Sequence, residues 1–160
     1  MIFLTVGTHE QGFNRLIEMM DEISVKINEP IFMQIGYSTV TPINAEYTRF
    51  LSADEMAQKI NKARLVVTHG GPASFFAALE AGKFVSVVPR LKKFGEHVND
   101  HQIEFVEFVI NKGLPIQMVE TKEELIDSII SPTPNTYGGN EMVEKFSEKL
   151  IDKMEELNKK

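Results

Sequence analysis

Residues 68–83, with the sequence THGGPASFFAALEAGK, combine a histidine with residues that could hold an anion. This stretch follows an apolar run that predicts a buried strand. Gly70 and Gly71 allow a sharp turn and a close approach to a ligand, and Pro72 suits the first turn of a helix. Because the free amides of a helix N-terminus attract anions, the stretch predicts a strand–turn–helix unit that binds a phosphate, with His69 beside it.

Two further loops carry polar residues directly after predicted strands. Residues 7–9 are Gly, Thr and His, but the full G-x-G-x-x-G spacing is absent, which argues against a nicotinamide or flavin dinucleotide. Residues 89–102 hold three cations, two histidines and two acids. The simpler interpretation of this last loop is a solvated segment in which Asn99 or Asp100 caps the following helix.

Four histidines raise the question of a metal site: His9, His69, His97 and His101. Their spacing fits no recognised zinc pattern. The chain has no cysteine, which removes disulfides, thiolate ligands and a cysteine nucleophile. We therefore expect no metal or other cofactor, and recognition of hydroxyls or phosphates by imidazole instead.

Bulk composition narrows the class of protein further. With 160 residues, 42% of them hydrophobic, the chain suits one cooperative domain. A net charge of −6 argues against broad nucleic-acid binding. No basic leader precedes the first apolar run, and no stretch approaches the roughly 20 apolar residues that a bilayer span needs. These features predict a cytoplasmic protein without a membrane span of its own.

Strand-like apolar runs alternate with helical spacing along most of the chain. The predicted strands cover residues 2–6, 31–35, 47–51, 65–68, 85–88 and 116–119. Capping-box spacing predicts helix starts at Ser52 with Glu55 and at Thr121 with Glu124. The alternation predicts an α/β fold with a doubly wound, Rossmann-like parallel sheet. All three polar loops then fall at the carboxyl edge of this sheet, where ligands bind.

The fold divides the chain into two predicted parts. We expect residues 1–131 to form the Rossmann-like domain, and residues 132–160 to form a proline-containing linker and a C-terminal amphipathic helix packed on the same domain. That helix is predicted from about Asn140, with an apolar stripe of Val143, Phe146, Leu150, Met154 and Leu157. A partner-facing role for the stripe is the alternative.

Three sequence segments together resemble the donor-binding half of family 28 GT-B glycosyltransferases. They are FLTVGTHEQGFNRL, ADEMAQKINKARLVVTHGGPAS and VVPRLKKFGEHVNDHQIEF. The chain is most similar to small bacterial capsule and exopolysaccharide subunits that work with a separate membrane-associated subunit. It more distantly resembles the catalytic subunit of the eukaryotic split N-acetylglucosaminyltransferase that extends dolichol-linked chitobiose. The resemblance covers nearly the whole chain and implies half of a GT-B fold.

The resemblance implies a UDP-sugar site and assigns residues to it. It places Gly7, Thr8 and His9 at the diphosphate, His69, Gly70, Gly71, Pro72, Ala73 and Ser74 at the pyrophosphate and ribose, Phe50, Leu51 and Met56 near the uracil, and Asp100, His101 and Gln102 at the transferred sugar. Arg90 or nearby lysines would offset charge on the leaving phosphate without a divalent cation.

One position departs from the pattern of this family. Many relatives carry a glutamate, which grips the ribose hydroxyls, where this chain has Ala77. Glu80 lies about one helical turn further along. The group that holds the ribose is therefore left unassigned.

The resemblance implies an inverting UDP-sugar hexosyltransferase of capsular or exopolysaccharide synthesis, with UDP-galactose as the leading donor. A membrane-associated partner would bind the lipid-linked saccharide acceptor, recruit the chain to the inner face of the plasma membrane and supply the catalytic base. The alternative is a non-catalytic interaction subunit that enhances a partner glycosyltransferase. A free-standing epimerase relative is a weaker option, because no Tyr-x-x-x-Lys pair is present.

Overall fold

The computed structural model describes residues 1–134, 152–153, 155–157 and 159. The strands are β1 (Ile2–Thr5), β2 (Ile31–Gln34), β3 (Glu46–Thr48), β4 (Leu65–Thr68), β5 (Phe84–Val87) and β6 (Ile116–Met118). The α helices up to residue 134 are α1 (Asn14–Ser24), α2 (Ala53–Lys62), α3 (Pro72–Glu80), α4 (His101–Asn111) and α5 (Lys122–Ile130). A 3₁₀ helix covers Lys92–Phe94.

The strands form one parallel sheet in the order β3-β2-β1-β4-β5-β6. β1 therefore lies at the centre of the sheet. β2 and β3 extend the sheet on one side of β1, and β4, β5 and β6 extend it on the other side. Thr5 at the end of β1 lies opposite Gln34 of β2 and Thr68 of β4. The strand order reverses between β1 and β4, and ligands of such sheets bind in the crevice outside the carboxyl ends at this point. The predicted doubly wound α/β fold is confirmed.

The sheet is buried on both faces, as parallel sheets are. Phe3 of β1 joins a core cluster with Phe75 of α3 and Phe105 of α4, whereas its neighbour Leu4 joins a second cluster with Leu16 of α1. Successive side chains of a strand point to opposite faces, so an uninterrupted apolar run serves both clusters. This packing fixes the carboxyl ends of β1, β4 and β5 as a common base for the loops above them.

The two predicted helix starts behave differently. Ser52 Oγ accepts from the Glu55 amide at 3.2 Å, and Glu55 Oε2 accepts from the Ser52 amide at 2.8 Å, which confirms the capping box. Thr121 Oγ1 accepts from the Glu124 amide at 3.1 Å, but the Glu124 carboxylate takes the Glu120 amide instead. The α5 start therefore has only half of a capping box, because the carboxylate reaches one residue further back.

The predicted third strand, residues 47–51, is wrong in its extent. β3 ends at Thr48, although Arg49 O still accepts from the Gly36 amide at 2.8 Å. The chain then leaves the sheet to reach the cap at Ser52, so Phe50 and Leu51 lie on a connection. The other strands match the prediction to within a residue at each end.

The C-terminal prediction lies largely outside the described residues, including Val143, Phe146, Leu150 and Met154. Residues 132–134 lie in neither helix nor strand, and Leu157 is helical and buried in the cluster that contains Phe105. Within the described part of the chain, no helix combines the length and apolarity that a bilayer crossing requires.

Candidate functional site

A cleft of about 540 Å³ opens at the carboxyl edge of the sheet, between the loop after β1 and the start of α3. Many residues that the resemblance assigned to the donor line it, namely Gly7, Thr8, His9, Met56, His69, Gly71, Pro72, Ala73 and Ser74. Thr5, Ile60 and Ala77 complete the lining. The cleft lies at the β1–β4 switch point of the sheet.

Thr5 and Ile60 were not among the predicted site residues. Thr5 is a polar residue at the carboxyl end of an apolar strand, and Ile60 follows Met56 by one helical turn on α2. Both positions could have been found from these two signals once the strand and helix were placed.

The imidazole of His69 is held between two glycines. It is only 7% exposed. A Cβ on Gly7, whose φ is +76°, would lie 2.5 Å from Nε2, and a Cβ on Gly71 would overlap Cε1. These glycines therefore make room for a side chain of the protein itself, in addition to any room they leave for a ligand.

The hydrogen bonds of His69 define its protonation state. Nδ1 accepts from the Gly71 amide at 2.9 Å and lies 3.3 Å from Nη1 of Arg90. Since both neighbours are donors, Nδ1 carries no proton, and the neutral ring carries it on Nε2 next to Gly7. Burial, followed by the Arg90 charge, lowers the pKa of His69 to about 3. The ring is thus a neutral hydrogen-bond donor at physiological pH.

Arg90 lies behind the cleft rather than in its lining. The side chain is 1% exposed, and Nη2 donates to Val6 O at 3.1 Å and to Gln11 O at 3.0 Å. Its guanidinium stacks 5.2 Å from the centroid of Phe13, and Nε has no partner among the described residues. Burial lowers its pKa to about 10, so the group stays charged. Arg90 holds the loop after β1 and adds positive charge beneath the cleft.

The polar residues after β5 bind mainly to their own loop. Gln102 Oε1 accepts from the Arg90 amide at 2.9 Å, and Asp100 Oδ1 accepts from the Lys92 amide at 2.9 Å. The N-cap residue of α4 is Asp100, whose side chain makes no capping hydrogen bond. Asn99, one residue earlier, accepts from the His101 amide through Oδ1 at 3.0 Å.

Glu96 in the same segment anchors it to α1. Its two carboxylate oxygens accept from Arg15 at 2.9 and 3.0 Å, and Oε1 also accepts from the Leu91 amide at 3.0 Å. A bidentate guanidinium–carboxylate pair is strong and directional. The loop after β5 is therefore tied to α1 through Arg15 and to the loop after β1 through Arg90.

Gly70, His101 and Gln102 line a neighbouring cavity of about 200 Å³. It shares His9, Gly71 and Pro72 with the main cleft. The two spaces therefore adjoin along these residues. The structure thus brings most of the assigned residues to one region at the carboxyl edge of the sheet.

Besides Arg90, three assigned residues line neither space: Phe50, Leu51 and Asp100. Phe50 is 44% exposed and packs edge-on against Tyr37, whereas Leu51 packs against the core cluster of α2 and α3.

The second cavity also gathers three of the four histidines. His9, His97 and His101 line it together. Burial and the charge of Arg90 lower the pKa of His97. No group of three or more His, Asp or Glu side chains in the described part of the chain is arranged to hold a metal ion. Independence from metals stays a prediction.

A buried polar row supports the floor of the main cleft. Thr5 Oγ1 donates to Gln34 Oε1 at 2.7 Å and accepts from the Gly7 amide at 3.1 Å. These hydrogen bonds connect β2 to Gly7, the glycine against which the His69 ring packs. Sequence reasoning missed Gln34, whose only signal was an amide at the end of an otherwise apolar strand.

The sheet order and the cleft define a Rossmann-like domain with a ligand cleft at its switch point. The chain belongs to the glycosyltransferase family 28 C-terminal domain family, which it matches over residues 1–157. It is 30% identical to the UDP-N-acetylglucosamine transferase subunit ALG13 of Homo sapiens, across 70% of this chain and 10% of the human protein. The chain therefore spans only a small part of that curated relative.

Solved structures show the same fold. The glycosyltransferase of kitacinnamycin aligns with a TM-score of 0.63 and 20% identity, over 98% of this chain and 39% of the other. An NMR structure of ALG13 aligns with a TM-score of 0.61 and 14% identity, over 91% of this chain and 93% of the other. At these identities the likeness concerns the fold alone.

Proposed function

We propose that this chain is the donor-binding subunit of an inverting, UDP-sugar-dependent hexosyltransferase. The observation that carries the proposal is the cleft at the β1–β4 switch point, where α3 begins. No side chain caps α3, and its first residue is a proline. The amides of its first turn therefore face the cleft region without an internal partner, and such amides bind phosphate groups. Membership of family 28 supports a nucleotide-sugar as the ligand.

The chemistry of this chain is stabilisation of the leaving UDP. As the glycosidic bond to the diphosphate breaks, negative charge grows on the phosphate oxygen. The α3 amides and the Nε2–H of His69 would donate hydrogen bonds to it, and the buried charge of Arg90 would lower its energy through a medium of low dielectric constant. Because burial lowers the pKa of His69 to about 3 and its Nδ1 already accepts from the Gly71 amide, the ring donates a hydrogen bond from Nε2 and does not act as the base.

The acceptor side belongs to a partner in this proposal. The human relative is named as a transferase subunit, which supports a partner. A membrane-associated partner would bind the lipid-linked saccharide, hold the chain at the cytoplasmic face of the membrane and provide the catalytic base. UDP-galactose is the first donor to test and capsular or exopolysaccharide synthesis the proposed pathway, both from the resemblance to capsule-type subunits.

Calorimetric titration of UDP and UDP-galactose into the purified chain tests donor binding. We expect saturable binding of both, with Ser74→Pro weakening it because the substitution removes one first-turn amide that α3 offers. The amides of the first helical turn have no intrahelical partner, so the substitution removes no helical hydrogen bond, and circular dichroism checks that the variant is folded. Absence of any nucleotide binding would favour the alternative, an interaction subunit without a donor site.

Transfer activity tests the division of labour. The chain co-expressed with its partner should transfer the sugar, whereas the chain alone should not. Full transfer by the isolated chain would overturn the two-subunit proposal while leaving donor binding intact.

A further inference from the structure

The part of the main cleft away from the α3 N-terminus is apolar. Met56 and Ile60 lie one turn apart on α2, and Ala77 lies one turn beyond Ala73 on α3. All four line the cleft. If the diphosphate occupies the α3 N-terminus, the nucleoside of the same ligand extends toward Met56, Ile60 and Ala77.

The cleft offers no carboxylate or carboxamide to a ribose. Among the described residues that line it, none is Asp, Glu, Asn or Gln. A carboxylate is the usual partner of ribose hydroxyls in Rossmann-like sites, because it accepts from them directly. The space that such a group would fill is next to the methyl of Ala77.

The polar side chains that line the cleft either bind other groups of the protein or lie at its phosphate end. The Thr5 hydroxyl donates to Gln34 and accepts from the Gly7 amide. The Nε2–H of His69 lies beside Gly7, where the proposed function assigns it to the phosphate. The remaining polar groups, on Thr8, His9 and Ser74, belong to the loop after β1 and the first turn of α3, at the phosphate end.

The carboxylates closest in sequence do not belong to the cleft lining. Glu55, next to Met56, accepts from the Ser52 amide at 2.8 Å as part of the capping box. Glu80 is exposed at the last residue of α3. Neither is positioned as a partner for a sugar hydroxyl within the cleft.

We infer that no side chain in the described part of the chain reads the ribose 2′-hydroxyl, and that the site accepts 2′-deoxyribonucleoside diphosphates and their sugars as well as UDP. The inference rests on the proposed function and deepens it. A site rejects an analogue that lacks a hydroxyl strongly only when the missing group leaves a buried polar partner unsatisfied. Here Ala77 has no polar group to leave unsatisfied. Ala77 is thus the specificity-determining position for the pentose.

Paired titrations of UDP and 2′-deoxyuridine diphosphate into the purified chain test this inference. The two ligands share base and diphosphate, so their ratio isolates the 2′-hydroxyl. We expect their dissociation constants to agree within about threefold, which is less than one hydrogen bond to a charged group provides. A preference for UDP of about thirtyfold or more would overturn the inference and leave the proposed function standing.

The second test is a variant that should gain discrimination between UDP and 2′-deoxyuridine diphosphate. Ala77→Glu places an acceptor in the apolar part of the cleft and should raise the preference for UDP to about tenfold or more. Ala77→Met is the matched control, since it adds similar length without a carboxylate and should leave the ratio unchanged. Only the ratio is compared, so a general loss of affinity from charge repulsion does not affect the result.

The remaining outcomes separate the two claims. An unchanged ratio in a folded, nucleotide-binding Ala77→Glu protein would overturn the assignment of Ala77. Failure of the wild-type chain to bind either nucleotide would overturn the proposed function itself.

Discussion

The turn after β4 and the segment after β5 are both rich in polar residues at the same edge of the sheet, yet they use them differently. In the first, Gly71 and Pro72 line the cleft and the first turn of α3 stays uncapped. In the second, Asp100 accepts from the backbone of Lys92, and Gln102 accepts from that of Arg90.

The difference follows from the length and regularity of the backbone in each segment. The turn after β4 is short and enters a helix at once, so few of its own amides need a partner. The segment after β5 is longer and irregular, and its buried or partly buried amides, those of Arg90 and Leu91, are paired locally because buried unpaired amides are costly. Polar side chains of this long loop therefore hydrogen-bond to the backbone of the same loop, which leaves fewer of them for a ligand.

Gly71→Ala should break the turn after β4 most severely. Its Cβ would overlap Cε1 of His69, and overpacking a filled site costs about 1–3 kcal/mol. We expect a loss near the upper end in the free energy of unfolding, measured by urea denaturation. In a His69→Ala background the same change should cost under about 1 kcal/mol, because the clash is gone.

Gly82→Ala is the matched control for that prediction. Gly82 has φ +75°, but a Cβ there would meet nothing within 4 Å. Only backbone strain of about 1–2 kcal/mol should result, with no dependence on His69. An equal cost of Gly71→Ala in both backgrounds would show that the two residues are not coupled.

Arg90→Met tests whether the segment after β5 supports the cleft from behind. The substitution leaves Val6 O and Gln11 O without their donor, which should lower the free energy of unfolding by about 2 kcal/mol. UDP affinity should also fall, because the loop after β1 lines the cleft. Lys93→Met, at an exposed site, should change stability by less than about 0.5 kcal/mol. Equal behaviour of the two variants would contradict the supporting role.

The buried neutral state of His69 predicts a pH dependence of stability. Its folded pKa is about 3, below the ordinary 6.5. Between these values the unfolded chain binds a proton that the folded chain does not. Stability contributed by this group is therefore complete above 6.5 and declines as pH falls, by up to about 1.4 kcal/mol per unit.

Urea denaturation at about pH 7 and about pH 5 measures this slope. His69→Asn should flatten it, because the amide oxygen can still accept from the Gly71 amide but does not titrate. The difference between the two proteins removes the contribution of other titrating groups. Parallel slopes would mean that His69 is accessible to protons in the folded state.

Asp100→Ala should have the smallest effect. Its carboxylate accepts from one exposed amide and lines neither the cleft nor the second cavity. We expect under about 1 kcal/mol of destabilisation and UDP-sugar affinity within about twofold of the wild type. A tenfold weaker affinity for the UDP-sugar, with UDP unaffected, would instead place Asp100 at the transferred sugar, as the family resemblance implies.

The sequence by itself determined the fold class and the location of the cleft. Uninterrupted apolar runs such as residues 65–68 predict strands that are buried on both faces. Their alternation with helical spacing is compatible with few sheet topologies. Glycine, proline and the strand end together specified the turn at Gly71 and Pro72. Strand and turn formation depend on residues that are close in sequence, so the sequence pattern predicts them directly.

Only the tertiary structure decided which polar groups stay available. Arg90 and Asp100 stand in the same polar segment, yet Arg90 is buried under His69 and Asp100 is bound to Lys92. Gln34 supports Gly7 through Thr5 from a strand distant in sequence. Hydrogen-bond partners far apart in the chain are set by packing, and no short-range pattern encodes them. The sequence therefore predicted an anion-binding turn, whereas tertiary packing determined which side chains around that turn remain without a protein partner.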